Sequence, residues 1–366
     1  MKCTLSREQL LEPLTRAEKM TGKNLTLPIL SCVLLRVEGA ALAVTATNLE
    51  VGIRGSVHTK DTEDGVVAVS ASVLTQVVNA LPSGSTVKME TSDGFLLVAG
   101  AGGQAKLALQ DASEYPALPK VEGGETLSLP ARAVITAVNS VSYCASTSAI
   151  KPELSSVFLH ANGGTLVAVA TDSFRLAEKK VPLEKAVTAD PILIPARSAV
   201  DLVKVLELAD DTVTLSMNEH QLSITLPDVY MTLRLVNGTF PDYTQIIPKD
   251  FAVEATMLRF DLERALRRAG IFSDQFNQTT LTLEPKKKHC TIHTSHASVG
   301  ETTDSIDAVL EGEPLIIRFN QRYLMDALHS IEQDSVVLQF AGAAQPAIVR
   351  PVGDMSFLYL VMPMNR

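Results

Sequence analysis

Apolar residues recur along this chain in one pattern that is written three times, about 125 residues apart. Each copy places apolar side chains at positions i, i+3, i+4 and i+7, which is the stripe that an amphipathic helix buries. The three sets are Leu74, Val77, Val78 and Leu81, then Ala199, Leu202, Val203 and Leu206, and finally Leu324, Ala327, Leu328 and Ile331. The pattern therefore predicts the same helix three times.

A second helix is predicted at the start of each copy. In the first copy, Ser6 and Gln9 have the spacing of a capping box directly before an apolar run that starts at Leu10. Pro130 and Asp261 are helix-start residues that precede similar apolar runs in the second and third copies. Each copy is thus expected to contain two helices.

Between the predicted helices, apolar and polar residues alternate as they do in β-strands. Segments 65–69, 86–89 and 212–215 show this pattern. Hairpin turns are predicted at 92–94 (Ser-Asp-Gly) and 162–164 (Asn-Gly-Gly), because these residues readily adopt positive φ. Short strands joined by tight turns indicate antiparallel sheets, so the predicted fold class is α+β.

The repeat also divides the chain. At 366 residues the chain is longer than a single hydrophobic core usually supports. Proline, glycine and charged residues interrupt the pattern at 118–124 and 247–250, which is typical of linkers. These breaks predict three domains, at residues 1–121, 125–247 and 251–366, each large enough to bury its own core.

Composition narrows the possible classes of function. Hydrophobic residues make up 46% of the chain, but no apolar run is long enough to span a membrane. The first residues also lack the apolar stretch of a signal peptide, so a cytoplasmic protein is expected. The net charge of -9 argues against a protein that coats nucleic acid, since phosphate affinity needs clustered basic residues. Any contact with DNA must therefore be local.

Signatures of catalysis and metal binding are not convincing in this sequence. Phosphate-binding loops, nucleophile elbows and paired-carboxylate motifs do not occur, so neither an enzyme nor a cofactor is expected. Cys290, His293 and His296 are close in sequence, but residues three apart on a strand face opposite sides, so no metal site is expected. The four cysteines are widely spaced and are expected to be reduced and buried. Asp172 ends a predicted strand and is expected to cap a turn.

Several short motifs occur in a fixed order along the whole chain. They are Leu10-Leu11-x-Pro13-Leu14, Thr26-Leu27-Pro28-Ile29-Leu30, Ala170-Thr171-Asp172-x-x-Arg175-Leu176-Ala177, Gly238-x-Phe240-Pro241-Asp242-Tyr243, Phe319-Asn320-x-x-Tyr323 and Val361-Met362-Pro363-Met364. Each is weakly specific alone, but together with the threefold repeat they resemble the bacterial DNA polymerase III beta subunits, the sliding clamps. The resemblance implies three repeated clamp domains and a head-to-tail dimer that closes into a ring around duplex DNA. The implied function is that of a processivity factor, with no catalytic activity.

The dimensions of such a ring fit DNA. Twelve helices, each about 10 Å wide, line a circle about 38 Å across at the helix axes and leave about 28 Å free. A duplex roughly 20 Å wide passes through with room for water. The residues expected to face DNA, on polar helix faces or in the loop that resembles the family's DNA contact, are Lys23, Asn24, Arg132, Arg197, Lys204, Arg264 and Arg267. From charge alone, the basic helix residues could equally be ordinary solvated side chains.

The resemblance also implies a peptide-binding cleft between the second and third domains. It would serve the polymerase III alpha subunit, other polymerases, the clamp loader, mismatch repair proteins and ligase. The matching positions are Leu154, Thr171, Arg175, Leu176, Pro241, Ile246, Phe276, Asn320, Tyr323, Val361, Met362, Pro363 and Met364. Aliphatic and methionine side chains would form an adaptable floor, while Arg175, Asn320 and Tyr323 could fix a peptide by hydrogen bonds. Taken singly, Leu176 and Val361 are more typical of a core.

Closure of the ring is assigned by resemblance to six residues, which are Lys106, Leu107, Ile271, Phe272, Glu301 and Asp304. Leu107 would lie on an edge strand against Ile271 and Phe272 of the partner subunit. Lys106 would lie near the two acidic residues. A dimer that continues the sheet would cover this edge and prevent unwanted pairing. Ile271 and Phe272 could instead be core residues.

The sequence departs from the family pattern at three places. Ser173 and Phe174 stand where the family commonly has a small residue followed by His or Tyr. The chain ends at Asn365-Arg366 without the family's apolar terminus. Asn24 stands where Arg is frequent, so the DNA contact there is expected to rest on Lys23.

A hypothesis from another class of function stays open at this point. It is a cytosolic, repeat-built scaffold or enzyme that never encircles DNA. A clamp should remain on closed circular DNA and slide off a cut circle, whereas a scaffold should not distinguish the two.

Overall fold

The computed structural model describes residues 1–22, 27–121 and 124–364. Within these ranges six α-helices occur as three pairs. They are α1 (Arg7–Lys19), α2 (Ala71–Asn79), α3 (Ala131–Asn139), α4 (Ala196–Leu206), α5 (Arg259–Ile271) and α6 (Gln321–Leu328). One pair falls in each copy of the repeat, which confirms the prediction of two helices per copy.

The β-strands follow one another closely between these helices. Their bounds are β1 (Lys2–Ser6), β2 (Cys32–Glu38), β3 (Ala41–Thr47), β4 (Val51–His58), β5 (Lys60–Glu63), β6 (Gly65–Ser70), β7 (Thr86–Ser92), β8 (Phe95–Gly100), β9 (Gly103–Gln110), β10 (Glu125–Pro130), β11 (Ser156–Asn162), β12 (Thr165–Thr171), β13 (Arg175–Pro182), β14 (Ala189–Pro195), β15 (Thr212–Met217), β16 (Gln221–Thr225), β17 (Val229–Arg234), β18 (Val253–Leu258), β19 (Gln278–Glu284), β20 (His289–His296), β21 (Gly300–Asp307), β22 (Val309–Gly312), β23 (Leu315–Asn320), β24 (Ser335–Phe340), β25 (Ala347–Pro351) and β26 (Phe357–Val361). Neighbouring strands pair antiparallel, which confirms the α+β class.

The strands form three sheets. A thirteen-stranded sheet has the order β10-β15-β16-β17-β4-β3-β2-β6-β9-β8-β7-β1-β5. A nine-stranded sheet has the order β14-β11-β12-β13-β26-β25-β24-β18-β22, and a four-stranded sheet has the order β21-β20-β19-β23. Two ladders join strands of different repeat copies, namely β4 with β17 and β13 with β26.

The chain divides into two compact units. One contains Met1–Ala131 and Lys204–Leu235, and the other contains Arg132–Val203 and Val236–Arg366. The thirteen-stranded sheet belongs to the first unit and the other two sheets belong to the second. The boundaries of the first unit follow hydrogen bonding rather than the repeat, because β17 extends the sheet of the first copy. The three domains at 1–121, 125–247 and 251–366 stay a prediction.

The apolar stripes of the second helices face the interior, as predicted. Leu74 and Val78 of α2, Leu202 of α4 and Leu324 of α6 are at most 2% exposed. Truncating one such leucine to alanine typically costs about 2–5 kcal/mol, because transfer free energy is lost and a cavity remains. These side chains therefore hold each helix against its sheet.

The helix starts agree with the predictions in two copies and differ in the third. Ser6 and Gln9 form the expected capping box, with Gln9 N–H donating to Ser6 Oγ at 3.3 Å. Pro130 ends β10 directly before α3. The prediction of a start at Asp261 is wrong by two residues, because β18 runs straight into α5 with Leu258 at the N-cap. Asp261 lies instead in the first turn, where a carboxylate faces the positive end of the helix dipole.

One backbone hydrogen bond occurs at the same place in all three copies. In each, the N–H of the first residue of the first helix donates to a carbonyl located just after the second helix. The pairs are Arg7 with Ser85 (2.9 Å), Ala131 with Asp211 (2.8 Å) and Arg259 with Asp334 (2.8 Å). The bond satisfies an amide that a helix start leaves unpaired, and it joins the two helices of a copy.

Both predicted hairpin turns are present. Asp93 and Gly94 connect β7 with β8 and have φ values of 49° and 80°. Gly163 connects β11 with β12 and has a φ of 60°. Positive φ at these central residues matches the right-handed twist of the flanking strands.

All four cysteines are buried and free, which confirms their structural reading. Burial raises the pKa of Cys3 to about 11 and that of Cys290 to about 12, so both thiols stay protonated. Cys290 faces the interior from β20, whereas His293 on the other face lies 3.0 Å from Thr303 Oγ1. In the described ranges, no group of three or more potential ligands could hold a metal ion. No described helix is both long and apolar enough to cross a membrane.

Candidate functional site

The residues of the predicted cleft gather where β13 pairs with β26. In this ladder Arg175 lies opposite Val361, and Leu176 lies opposite Leu360. Strand β12 ends at Thr171 and β13 begins at Arg175. The turn between them therefore lies directly beside the C-terminal strand.

This turn is held by its own side chains. Thr171 Oγ1 donates to the carbonyl of Arg175 at 2.7 Å and accepts from the N–H of Ser173 at 3.1 Å. Asp172 Oδ1 accepts the N–H groups of Phe174 (2.9 Å) and Arg175 (3.0 Å), as expected of a turn cap. Ser173 adopts a φ of 77°, a conformation that these bonds maintain in a residue other than glycine. Phe174, 62% exposed, is thereby fixed at the rim.

Arg175 lies beneath the cleft, with its side chain only 12% exposed. Its Nε donates to Asp172 Oδ2 at 2.9 Å, and its Nη2 donates to the carbonyl of Tyr143 at 2.8 Å. Its Nη1 donates to Asp326 Oδ2, and the guanidinium carbon lies 4.5 Å from the ring centroid of Tyr323. Every guanidinium nitrogen thus has an internal partner. Arg175 therefore positions the turn and Tyr323, instead of presenting free donors to a peptide as the sequence suggested.

The aromatic residues around Arg175 form a rigid, neutral support. Tyr359 donates its hydroxyl to the carbonyl of Tyr323 at 2.8 Å and stacks with Tyr143 at a centroid distance of 6.4 Å. Tyr143 in turn accepts from Ser330 Oγ at 3.1 Å. Burial raises the pKa of Tyr143 and of Tyr359 far above the usual value, so both phenols stay protonated. The support carries no charge other than the Arg175 ion pairs.

The C-terminal segment forms one wall of the cleft. Met362 N–H donates to the carbonyl of Phe174 at 2.8 Å, and Met364 N–H donates to the carbonyl of Arg318 at 2.8 Å. Val361 is fully buried, whereas Met362 is 37% exposed. The wall is therefore tied to two separate strands while it presents a methionine side chain to solvent.

Asn320 caps a helix at the opposite side. Its Oδ1 accepts the N–H of Arg322 at 3.0 Å, as an N-cap of α6 does, and its Nδ2 donates to the carbonyl of Phe276 at 3.4 Å. A peptide that hydrogen-bonds Asn320 must compete with these contacts. Phe276 itself is 59% exposed.

The predicted cleft residues fall into three groups by exposure. Leu154, Thr171, Leu176 and Val361 are buried, Arg175, Asn320, Tyr323, Pro363 and Met364 are partly buried, and Pro241, Ile246, Phe276 and Met362 are exposed. Leu176 packs with Phe240, Leu358 and Leu360 in a core cluster. The core reading is thus correct for Leu176 and Val361, and the accessible surface comes from methionine, proline and aromatic side chains.

Sequence reasoning missed two residues that hold Arg175. Tyr143 and Asp326 lie far from Arg175 along the chain and outside the quoted motifs, so no local signal marks them. Asp172 was available, because an Asp three residues before an Arg at the end of a strand has the spacing of a turn cap and an ion pair.

The predicted DNA-facing side chains on α3 and α4 are exposed. They are Arg132, Arg197 and Lys204. The other helical members are paired on α5, where Arg264 donates to Asp261 at 3.0 Å and Arg267 donates to Glu263 at 2.6 Å. Helix α5 carries four arginines and two acidic residues, so a positive excess remains. Lys23 and Asn24 lie outside the described residues, as do Asn365 and Arg366 at the chain end.

One side of the predicted seam is the strand β9. It pairs with β8 along Gly103–Ala108 but meets β6 only at Leu109 and Gln110. Its other edge is therefore unpaired over most of the strand, as predicted for an edge strand. Lys106 is exposed, but Leu107 is only 4% exposed. The side chain of Leu107 belongs to the core, and only its backbone remains available to a partner.

The other side of the predicted seam combines α5 and β21. Ile271 is 68% exposed and Phe272 is partly buried, so the core reading is wrong for Ile271. Strand β21 is the edge of the four-stranded sheet. Asp304 is buried and paired with Arg268, with Nε to Oδ2 at 3.2 Å. Glu301 is therefore the accessible carboxylate of the two that were expected near Lys106.

Comparison with protein families gives the same result along the whole chain. Residues 1–119 match the N-terminal domain of the DNA polymerase III beta subunit, residues 128–242 match its central domain, and residues 244–365 match its C-terminal domain. The beta sliding clamp of Synechococcus elongatus is 29% identical over 372 residues, covering 100% of this chain and 99% of that protein. The beta sliding clamp of Staphylococcus aureus is 26% identical over 375 residues, with the same coverage.

Solved structures agree with these relatives. The DNA polymerase III subunit beta from Pseudomonas aeruginosa superimposes with a TM-score of 0.93 at 28% identity, covering 100% of both chains. The same protein bound to griselimycin gives the same values. The beta subunit from Thermotoga maritima has a TM-score of 0.93 at 25% identity and covers 100% of this chain and 99% of its own.

Proposed function

The chain belongs to the DNA polymerase III beta subunit family, and we propose that it works as a DNA sliding clamp, a non-catalytic processivity factor that encircles duplex DNA. The observation that carries this proposal is the match of three clamp domains, in order, along a chain that repeats its helix pair three times. The alternative of a cytosolic scaffold or enzyme has no such support, since the relatives are sliding clamps over their full length. We place this activity in the cytoplasm, where the replicating DNA is expected.

A head-to-tail dimer would supply the twelve helices of the ring. Arg132, Arg197, Lys204, Arg264 and Arg267 would face the duplex, together with Lys23 and Asn24. The exposed side chains on α3 and α4 and the positive excess on α5 support this. Contacts with phosphates alone allow sliding, because they carry no sequence information. The net charge of -9 lies largely elsewhere and would repel DNA from the outer surface.

Closure of the ring is proposed to join two sheet edges. The unpaired edge of β9 on one protomer would continue the sheet that ends at β21 on its partner, which satisfies backbone groups on both sides. Lys106 would face Glu301 of the partner subunit. Ile271 and Phe272 would supply apolar area, which their exposure in one chain supports.

The cleft beside β13 and β26 is proposed to bind short linear segments of partner proteins. Phe174, Met362 and Phe276 give apolar contacts at its surface, and the Arg175 network keeps its shape. Polymerases, including the polymerase III alpha subunit, are the first expected partners. The clamp loader, mismatch repair proteins and ligase are further proposed partners of the same cleft.

The decisive experiment is topological. The protein is loaded on nicked circular DNA by its clamp loader, and the circle is then cut with a restriction enzyme. We expect retention on the circle and rapid loss after cutting, because a ring leaves only over a free end. Equal retention on both forms would contradict the proposal and favour a scaffold that binds the surface of DNA.

A further inference from the structure

A second cavity lies in the first unit, beside the ladder in which β4 pairs with β17. Its volume of about 460 Å³ lies within the range of roughly 300–1,000 Å³ that is typical of ligand sites. Buried residues form its floor and exposed charged residues form its mouth. The floor includes Thr47, Val51, Thr232 and Leu233, and the mouth includes Glu50 and Arg234.

The backbone around this cavity is built like that of the predicted cleft, one repeat later in the chain. The equivalent positions are Thr47 and Thr171, Asn48 and Asp172, Leu49 and Ser173, Glu50 and Phe174, Val51 and Arg175, and Arg234 and Met362. Strand β4 pairs with β17 as β13 pairs with β26, with Val51 opposite Leu233. The first and second repeats thus meet in the same way as the second and third.

Each hydrogen bond of the cleft turn recurs here. Thr47 Oγ1 donates to the carbonyl of Val51 at 2.9 Å and accepts from the N–H of Leu49 at 3.0 Å. Asn48 Oδ1 accepts the N–H groups of Glu50 (2.9 Å) and Val51 (2.8 Å). Leu49 has a φ of 75°, close to the 77° of its counterpart.

The final tie also recurs. Arg234 N–H donates to the carbonyl of Glu50 at 2.8 Å, the same distance as between Met362 and Phe174 in the cleft. This bond fixes Glu50 and Arg234 as neighbours on adjacent strands. The frame that holds the cleft rim therefore exists twice in one chain, with different side chains.

Three differences between the two frames change the chemistry. The floor holds Val51 where the cleft holds Arg175, so it is apolar. The rim carries Glu50 and Arg234 where the cleft carries Phe174 and Met362. A segment that suits the second frame needs an apolar side chain for the floor and charged neighbours for the rim.

Thr232 gives an independent indication of a ligand. Its residue is only 3% exposed, it lines the cavity, and its Oγ1 has no hydrogen-bond partner within the described part of the chain. Most buried hydroxyls in native structures are paired, because an unpaired one costs free energy. A polar group that enters the cavity would satisfy it.

We propose that this cavity is a second peptide site, which accepts one aliphatic side chain of a short linear segment from a partner protein. A basic neighbour of that side chain would face Glu50, an acidic neighbour would face Arg234, and a polar group of the peptide would bond Thr232 Oγ1. The inference rests on the proposed function only in treating the related cleft as a peptide site. The two sites would then select different segments, with apolar flanks at the cleft and charged flanks at the cavity.

The test uses full-length protein with labelled Leu, Val and Met methyl groups and the blocked tripeptide acetyl-Lys-Leu-Glu-amide as the probe. We expect saturable NMR shifts of the methyl groups of Leu49, Val51 and Leu233. Glu50→Lys should weaken the affinity about fivefold through charge reversal, and Thr232→Val, which keeps the shape, should weaken it about threefold. The two variants separate charge recognition from the buried hydroxyl.

The matched control is Phe174→Lys, which places the same new charge at the equivalent position of the cleft. It should leave the cavity affinity unchanged. Shifts confined to the methyl groups of Val361 and Met362 would overturn the second site, since the probe would occupy the cleft. Absence of saturation at the cavity, or equal affinity in all variants, would overturn it as well. Neither outcome alters retention on circular DNA, so failure here is distinguishable from failure of the proposed function.

Discussion

At Arg175, three guanidinium nitrogens are held by three separate parts of the second unit. These are the turn at Asp172, helix α6 through Asp326, and the carbonyl of Tyr143. The planar guanidinium can reach all three at once, whereas an ammonium is a single point charge on a flexible stem. The geometry of the cleft therefore depends on an arginine at this position.

We expect Arg175→Lys to lower the free energy of unfolding by about 2 kcal/mol, because charged hydrogen bonds are lost in a mostly buried place. Peptide affinity should fall with it, since the turn and Tyr323 lose their common support. Urea unfolding and a peptide titration measure the two effects. Arg264→Lys, at an exposed arginine of α5, is the control. Loss of affinity with unchanged stability would instead mean that Arg175 contacts the peptide directly.

Glu8 gives a prediction about pH. Its carboxylate accepts the backbone N–H of Gly84 at 3.0 Å and the hydroxyl of Ser83 at 3.1 Å. These bonds, the one from Gly84 first, lower the pKa of Glu8 from 4.5 to about 2. The carboxylate is thus favoured in the folded state. Its contribution to stability is complete above pH 4.5 and is lost as the pH falls towards 2.

We therefore expect Glu8→Gln to be less stable than the unchanged protein at pH 6, with a difference that shrinks between pH 4.5 and 2. Urea midpoints measured across this range test it. Glu313→Gln, at an exposed residue of a loop, controls for removal of a charge. A difference that stays constant with pH would show that the carboxylate charge is not what links the helix start to the Gly84 loop.

At the scale of elements, local patterns predicted the helices and hairpins, while the pairing between repeats was beyond their reach. Ser6 and the turn at Asp93 are local signals, because cap and turn geometry depends on adjacent residues. The ladders of β4 with β17 and of β13 with β26 join segments far apart in sequence, and nothing local sets their register. For the same reason, Leu107 was placed at the seam although its side chain is buried. The cleft was predictable only through resemblance.

The C-terminal wall allows function and assembly to be separated. Deletion of residues 362–366 removes Met362 and the two N–H donors that tie the wall to Phe174 and Arg318. We expect peptide affinity to fall by about 2 kcal/mol, on the order of thirtyfold, since an apolar anchor loses its pocket wall. The ring should stay closed, because the proposed seam lies on other elements.

A titration with the cleft-binding segment of a partner polymerase, alongside sedimentation, measures both properties. Deletion of residues 365–366 alone is the matched control, since it leaves the wall in place. Unchanged affinity after the longer deletion would move the binding site away from the C-terminus. Simultaneous loss of the dimer would show that the wall is part of the assembly.

For the whole molecule, the important property is that each chain is folded before the ring forms. The apolar stripes are buried within one chain, and the exposed apolar residues near the proposed seam are few. Ile271, at the end of α5, is 68% exposed, which is costly in a free subunit unless a partner covers it. The seam should therefore be weak enough to open during loading and specific enough to close again.

We expect the double variant Ile271→Ala with Phe272→Ala to be a folded monomer. Truncating exposed side chains costs the single chain little, whereas at a dimer interface the same change removes buried apolar contacts worth several kcal/mol, about 2 or more for each large anchor. Sedimentation equilibrium gives the association state, and circular dichroism shows whether the fold is retained. Ile316→Ala is the control, because Ile316 is 64% exposed on β23 and is not assigned to the seam. An unchanged dimer would remove Ile271 and Phe272 from the seam, and an unfolded chain would make them part of the core. A folded monomer that no longer stays on closed circular DNA would link the seam directly to encirclement.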